Sequence, residues 1–317
     1  LAAIQREKVT PMSMALRVLP GLLYGSDHAY SLPFSGSGTE ASVMSLTRDD
    51  LVSYHDTWFK PNNATMVVVG DTTLAEVMPK LERYFGAWQP GPVPQKNIAT
   101  VSQSNGGTVY LLDRPDSEQT VIIAGRLVAP KANDNEIGIQ TANDIFGGDF
   151  TSRINLNLRE DKHWTYGARS LLVDSKGQRP FLVYAPVQAD KTIESMQEIA
   201  REFRDIRGDR PPTEVEMGEV TDETIRALPG RWVTNGAVTG DLVQILRFGL
   251  PDDYWDGYPD ALRNLQPEQV EQGVASIIDP NEMVWVVVGD RAKIEEAIRT
   301  SDIGELRYLD ADGEPMP

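Results

Sequence analysis

The sequence predicts an α+β protein built as two tandem, related domains. Three observations carry this. The chain has 317 residues, enough for two domains of ordinary size. Strand patterns alternate with paired amphipathic helices, with hairpin-like neighbours early in the second part. Above all, one stretch occurs twice. Pro61-Asn62-Asn63-Ala64-Thr65-Met66-Val67-Val68-Val69-Gly70-Asp71 returns as Pro280-Asn281-Glu282-Met283-Val284-Trp285-Val286-Val287-Val288-Gly289-Asp290, an offset of 219 (280 − 61). Upstream, Leu46, Asp49, Leu51, Trp58 and Phe59 fall opposite Leu265, Glu268, Val270, Ile277 and Ile278 at the same offset.

Each copy reads as a capped helix, an X-Pro turn, a buried valine strand and a Gly-Asp exit into another helix. In the first copy these are the helix Thr47–Phe59 and the strand Thr65–Gly70. The linker Gln89-Pro90-Gly91-Pro92-Val93-Pro94 follows. The second copy starts near Gln103–Val109. Subtracting 219 from 103 gives −116, so the first copy is expected here without its N-terminal half. Residues 1–97 are therefore expected to be the C-terminal half of a first domain plus linker, and residues 98–317 a second domain. In the second domain Val109–Leu112 and Thr120–Gly125 read as strands. Asn135–Phe146 reads as a helix with Ile137, Ile139, Ala142 and Ile145 inward. Gly167–Val173 and Phe181–Pro186 are strands, and Lys191–Arg207, Thr213–Leu228 and Leu242–Phe248 are amphipathic helices.

Phe146 to Tyr166 concentrates the chemistry. Gly147 and Gly148 end one helix. Thr151 or Ser152 is placed to cap the next through a side-chain oxygen. Ile154 and Leu158, four apart, share one face, with Arg159 beside it near the helix C-terminus. A polar turn follows, then period-two alternation through Trp164, Tyr166 and Ala168. Spacing leaves two readings of Arg159 and Tyr166. One is a surface arginine paired with Glu160 or Asp161 and a tyrosine packed on the sheet. The other is a pair of donors for peptide carbonyls and a developing oxyanion.

The stretch resembles a signature of the M16 zinc metallopeptidases, the insulinase, pitrilysin and mitochondrial-processing-peptidase group. Gly147-Gly148, Ser152-Arg153-Ile154, Leu158-Arg159-Glu160 and Tyr166 match the family pattern. His163-Trp164 departs from it, where a Gly-Leu type turn is usual. Tyr24–Tyr30 and Gly36–Glu40 look like the family's first-domain segment, and Arg307–Gly313 like the tail of bacterial members. The resemblance implies tandem domains of the LuxS/MPP-like metallohydrolase type, each a largely antiparallel sheet with helices packed on one face. It implies that Arg159 and Tyr166 complement a partner's zinc site, and that Gly147, Gly148 and His163 contact substrate. The expected partners are a peptide and a zinc-bearing M16 half, fused upstream or separate. The alternative is a scaffold or assembly subunit that keeps the fold without catalysis.

A zinc peptidase needs three protein ligands and an open position for water. The family supplies them by His-x-x-Glu-His and a distant Glu. This sequence has three histidines, His28, His55 and His163, no two of them four apart, and Ala3 falls loosely at the distant Glu position. No metal or cofactor site is expected in this chain; zinc belongs to the partner half. Net charge is −17, which argues against nucleic acid and against an anionic membrane surface. There is no cysteine, so no thiol chemistry. No run of about 20 apolar residues is present. Similarity to bacterial members is compatible with a periplasmic setting and leaves the compartment open.

Overall fold

The computed structural model describes residues 1–317. The chain opens with α1 (Ala2–Glu7) and α2 (Pro11–Tyr24), then α3 (Glu40–Ser45), α4 (Arg48–Trp58) and α5 (Leu74–Phe85). Strands β1 (Thr108–Asp113) and β2 (Gln119–Val128) lead to α6 (Glu136–Asn143) and the short α7 (Arg153–Asn155). After these come β3 (Arg169–Leu172), β4 (Arg179–Gln188), α8 (Thr192–Arg207), α9 (Glu214–Arg231), α10 (Asn235–Phe248), α11 (Tyr254–Arg263) and α12 (Pro267–Ile277). The chain closes with β5 (Val284–Gly289), α13 (Arg291–Arg299), β6 (Glu305–Leu309) and β7 (Pro315–Met316).

The strands form one mixed sheet in the order β3-β4-β2-β5-β1-β6-β7. β5 runs antiparallel to β2 and parallel to β1, with Val286 beside Ile123 and Tyr110. β2–β4 and β3–β4 are antiparallel, and β1–β6 is parallel. The fold is thus α+β as the sequence predicts. Side chains alternate across the sheet, as the two-residue period of a strand requires. Leu111, Ile122, Trp285 and Val287 point into a large core with Ile199 and Phe203 of α8, Val274 of α12 and Ile294 of α13. Leu112, Ile123, Val286 and Val288 point the other way.

That second face is covered by a helix from residues 1–97. Met14, Ala15, Val18, Leu19 and Leu23 of α2 pack on it. Tyr24 donates its hydroxyl proton to the Gln178 carbonyl at 2.7 Å, and Arg17 joins Glu7 at 2.7 Å. Hence helices from residues 136–299 occupy one face of the sheet, and α2 covers the other. Arg179, fully buried, pairs with Glu136 and Asp174, and Lys131 joins both carboxylates at 2.9 and 3.2 Å.

One expected strand does not form. Thr65–Gly70 is extended chain without ladder partners and is largely exposed. The reason is visible in its counterpart β5, which owes its hydrogen bonds to β1 and β2. No strand lies beside Thr65–Gly70 as β1 and β2 lie beside β5. A valine run cannot satisfy its backbone groups alone. The flanking helices α4 and α5 do form, each with a capping box, Thr47 with Asp50 and Thr73 with Glu76.

Candidate functional site

The predicted site residues lie on one continuous stretch, and its local geometry explains their placement. α6 does not stop at Asn143. It widens into a π-helical turn over Asp144–Gly148, and the chain ends that turn on the two glycines. Neither glycine has a positive φ, so their role here is space and not handedness. A Cβ on Gly147 would come within 2.6 Å of Ile154 Cδ1 and of Ser170 N and Oγ. A Cβ on Gly148 would run into the Asp144 carboxylate and the Asn143 carboxamide. Gly147 is buried in this contact, while Gly148 is exposed. Burial pushes the Asp144 carboxyl up to about 6, and bonds donated by Asn143 and Gln140 offset part of the rise.

α7 then begins. Ser152 stands at its N-cap, but its hydroxyl is buried without a partner, so the expected side-chain cap does not form. Ile154 and Leu158 are buried on one face as predicted. Arg153, which the sequence singled out only as part of a motif, turns away from the surface. Its guanidinium meets both Glu216 oxygens at 2.6 and 2.7 Å and the Pro211 carbonyl at 2.9 Å. Burial alone would raise Glu216, but bonds from Arg153 and from Thr213 outweigh it and hold the carboxyl at about 2. The pair pins α7 to the start of α9.

Past Asn155 the helix widens again into a π-helical turn, Leu156–Asp161, which carries Arg159. π-turns of this kind are frequent at functional sites. The Arg159 guanidinium lies 4.4 Å above the exposed Phe150 ring, a cation–π contact, and its Nε is 3.5 Å from Glu160. His163 ends the turn at φ +59°, the left-handed conformation usually left to glycine. Its Nδ1 lies 3.0 Å from the Arg159 carbonyl, to which it donates a cap. His163 is thus held as a helix cap, with its ring at the surface.

Tyr166 follows on a turn stitched by Thr165, whose hydroxyl donates to the Gly167 carbonyl and accepts from the Gly167 N–H, both at 3.1 Å. The Tyr166 ring is 90% exposed. The buried Asn155 carboxamide donates to the Phe150 carbonyl at 2.6 Å and accepts from the Ala168 N–H at 3.1 Å. Contacts therefore link Gly147, Phe150, Asn155, Arg159 and His163 along one short helix, and Asn155 ties it at Ala168 to the turn that carries Tyr166.

The other histidines lie elsewhere. His28 stacks on Tyr24 with ring centres 4.8 Å apart and faces the Ala99 carbonyl; His55 is exposed beside Asp56. No three His, Asp or Glu side chains converge as a metal-ligand set. A groove of about 910 Å³ runs from Thr151 along α9 past Glu214, Glu219, Asp222 and Glu223. A second cavity of about 540 Å³ is lined by Leu228, Trp232, Leu242 and Trp255. No helix is long and apolar enough to cross a membrane.

The family model described as the peptidase M16 inactive domain matches residues 45–221. An uncharacterized zinc protease of Mycobacterium leprae is 26% identical over 192 residues, which is 59% of this chain and 42% of that protein. The match thus spans less than half of that relative's length. Among solved structures, a peptidase M16 inactive domain from Pseudomonas fluorescens superposes with a TM-score of 0.82 at 21% identity, over 92% of this chain and 68% of that one. The periplasmic protease PqqL from Escherichia coli superposes with a TM-score of 0.66 at 13% identity, over 91% of this chain and 32% of that one.

Proposed function

This chain belongs to the M16 peptidase family and carries its inactive domain, and from that premise we propose that it is the zinc-free half of a two-half peptidase. It closes a peptide-binding chamber against a zinc-bearing half, fused upstream or separate, and supplies Arg159 and Tyr166 to metal-dependent endoproteolysis there. In this reading residues 1–97 complete a first domain of the same type, and residues 98–317 are the second. The zinc, and the water it activates, belong to the partner half.

The observation that carries the reading is Tyr166. Its ring is 90% exposed, more than any other large hydrophobic side chain of the chain, on the turn that follows the helical segment presenting Arg159. The chemistry suits the role. A peptide laid along the site exposes carbonyls that want donors, and hydrolysis builds negative charge on one of them. The Arg159 guanidinium and Tyr166 hydroxyl are donors of the two required kinds. In this reading Gly148 and His163, both exposed, contribute to a substrate-facing rim, while buried Gly147 gives the turn room behind it. That this chain aligns with 32% of the whole PqqL protease supports its being one part of a larger closed assembly.

The test is turnover of the complete two-half enzyme on a fluorogenic peptide. Removing a comparable donor costs about 2.7–4 kcal/mol of transition-state stabilisation, roughly a hundred- to thousandfold in rate. Arg159→Ala and Tyr166→Phe should each lower kcat/KM on that scale while the thermal melt is kept. Unchanged turnover in both folded variants would move the assignment to a non-catalytic assembly subunit.

A further inference from the structure

The arginine and the tyrosine sit on different pieces of chain, and something must fix the distance between them. Arg159 rests on the Phe150 ring, so its guanidinium follows wherever the Phe150 backbone goes. Tyr166 rides on the Thr165–Ala168 turn, whose near end is stitched by the Thr165 hydroxyl. One side chain touches both pieces. Asn155 is 3% exposed; its Nδ2 donates to the Phe150 carbonyl at 2.6 Å and its Oδ1 accepts from the Ala168 N–H at 3.1 Å. We propose that Asn155 is the positioning residue of the Arg159–Tyr166 pair, its carboxamide clipping the Phe150 platform to the Tyr166 turn. The inference rests on the functional reading of that pair given above.

Only a carboxamide meets both demands at this length. The Phe150 carbonyl needs a donor and the Ala168 amide needs an acceptor, and the two ends of the Asn155 carboxamide supply one each. A carboxylate would leave the Phe150 carbonyl facing an oxygen, and an apolar side chain would leave the Ala168 N–H buried and unpaired and the Phe150 carbonyl without this donor. Asn157 provides an internal contrast. It is also buried on the same helix, yet its carboxamide donates to Glu198 and Glu202 of α8, away from the pair. Loss of Asn157 loosens packing; loss of Asn155 lets the two donors drift apart.

The experiment compares Asn155→Leu with Asn157→Leu. On this chain alone, NMR should show the Arg159 Nε–H resonance, shifted by the Phe150 ring current in the wild type, returning toward the ordinary arginine position in Asn155→Leu only. Exchange of the Ala168 amide should accelerate in the same variant only. In the complete enzyme, a displacement of about 1 Å costs about a hundredfold in rate. Asn155→Leu should lower kcat on that scale with KM little changed, and Asn157→Leu should leave kcat intact. Should Asn155→Leu fail to fold, Asn155→Asp keeps the volume and the acceptor while removing the Phe150 donor, and is read the same way. An unmoved Arg159 resonance in the folded Asn155 variant, or equal effects in both positions, overturns the proposal. The spectroscopic result needs no partner, so a failed clip is seen there. A failed reading of the pair is seen instead as unchanged turnover in Arg159→Ala and Tyr166→Phe.

Discussion

Two stretches of this chain share a sequence pattern and end in opposite surroundings. Val284–Gly289 is the middle of the sheet, buried along its whole length. Thr65–Gly70, with the same valine triplet, glycine and following aspartate, lies open. Val287 is 0% exposed and its counterpart Val68 is 51% exposed. No residue from Gly25 to Gly107 is buried, although α4 and α5 in that span are regular, capped helices. The difference separates two kinds of information in a sequence. Capping boxes and helical periodicity act within a few residues and work in either setting. A strand is a property of its neighbours, and β5 has them while its twin does not.

The largest effect should come from putting a charge into each twin. Val287→Asp buries an unpaired carboxylate in the core, a cost of more than about 5 kcal/mol that should unfold the chain. Val68→Asp should change stability by less than about 0.5 kcal/mol. Denaturant melts of both variants check this, and similar losses would mean that Val68 is packed in solution.

A second, smaller effect sharpens the contrast through pH. Asp144 lies in the packed half with its carboxyl raised by burial to about 6, from an ordinary 3.8. Its stabilising contribution is full below about pH 4, where the folded state binds the proton more readily, and is lost as pH rises through 6. Asp144→Asn stays neutral throughout. It should therefore be more stable than the wild type near pH 7.5, by up to about 3 kcal/mol, with the difference closing toward pH 4. Melts across that range decide it; a gap independent of pH would rule out the titration. Nothing comparable is expected from residues 40–103, where no carboxylate is buried.

The smallest effect compares two equal capping boxes. Thr213 with Glu216 opens α9 in the packed half, and Thr73 with Glu76 opens α5 in the open one. Thr213→Ala should lower global stability by about 1 kcal/mol. Thr73→Ala should fray α5 locally and leave the global transition where it was. Circular dichroism beside a denaturant melt distinguishes the two, and a global shift with Thr73→Ala would tie α5 to the core.

Legibility in the sequence followed the same division. The strands at 108–128 and 179–188 and the helices at 192–231 were readable from period and punctuation, and Ile154 and Leu158 from their four-residue spacing, whereas the helix Tyr254–Arg263, the strand Glu305–Leu309 and the first half of the helix Asn235–Phe248 were not. The stretch holding Arg159 and Tyr166 was readable because its residues are close in sequence. The π-turns at Asp144–Gly148 and Leu156–Asp161 were not, since one extra residue per turn leaves no mark on an apolar pattern that short. Nor were Arg153 with Glu216, Arg179 with Glu136, or Asn155 with Ala168, because a polar side chain carries no local sign of a partner 13 to 63 positions away. His163 was read as a substrate contact; a departure from glycine in a turn, paired with a side chain able to cap the preceding carbonyl, was the available clue to its left-handed backbone.

The placement of α2 bears on how the molecule can be divided. The sequence pattern predicts a domain boundary at the linker around Pro90–Pro94, yet the helix that shelters Ile123, Val286 and Val288 comes from the far side of it. Cutting there would leave one of the sheet's two surfaces bare, and with it the carbonyl of Gln178 that Tyr24 now occupies. A linker rich in proline is therefore not, in this chain, a seam along which the packed fold comes apart.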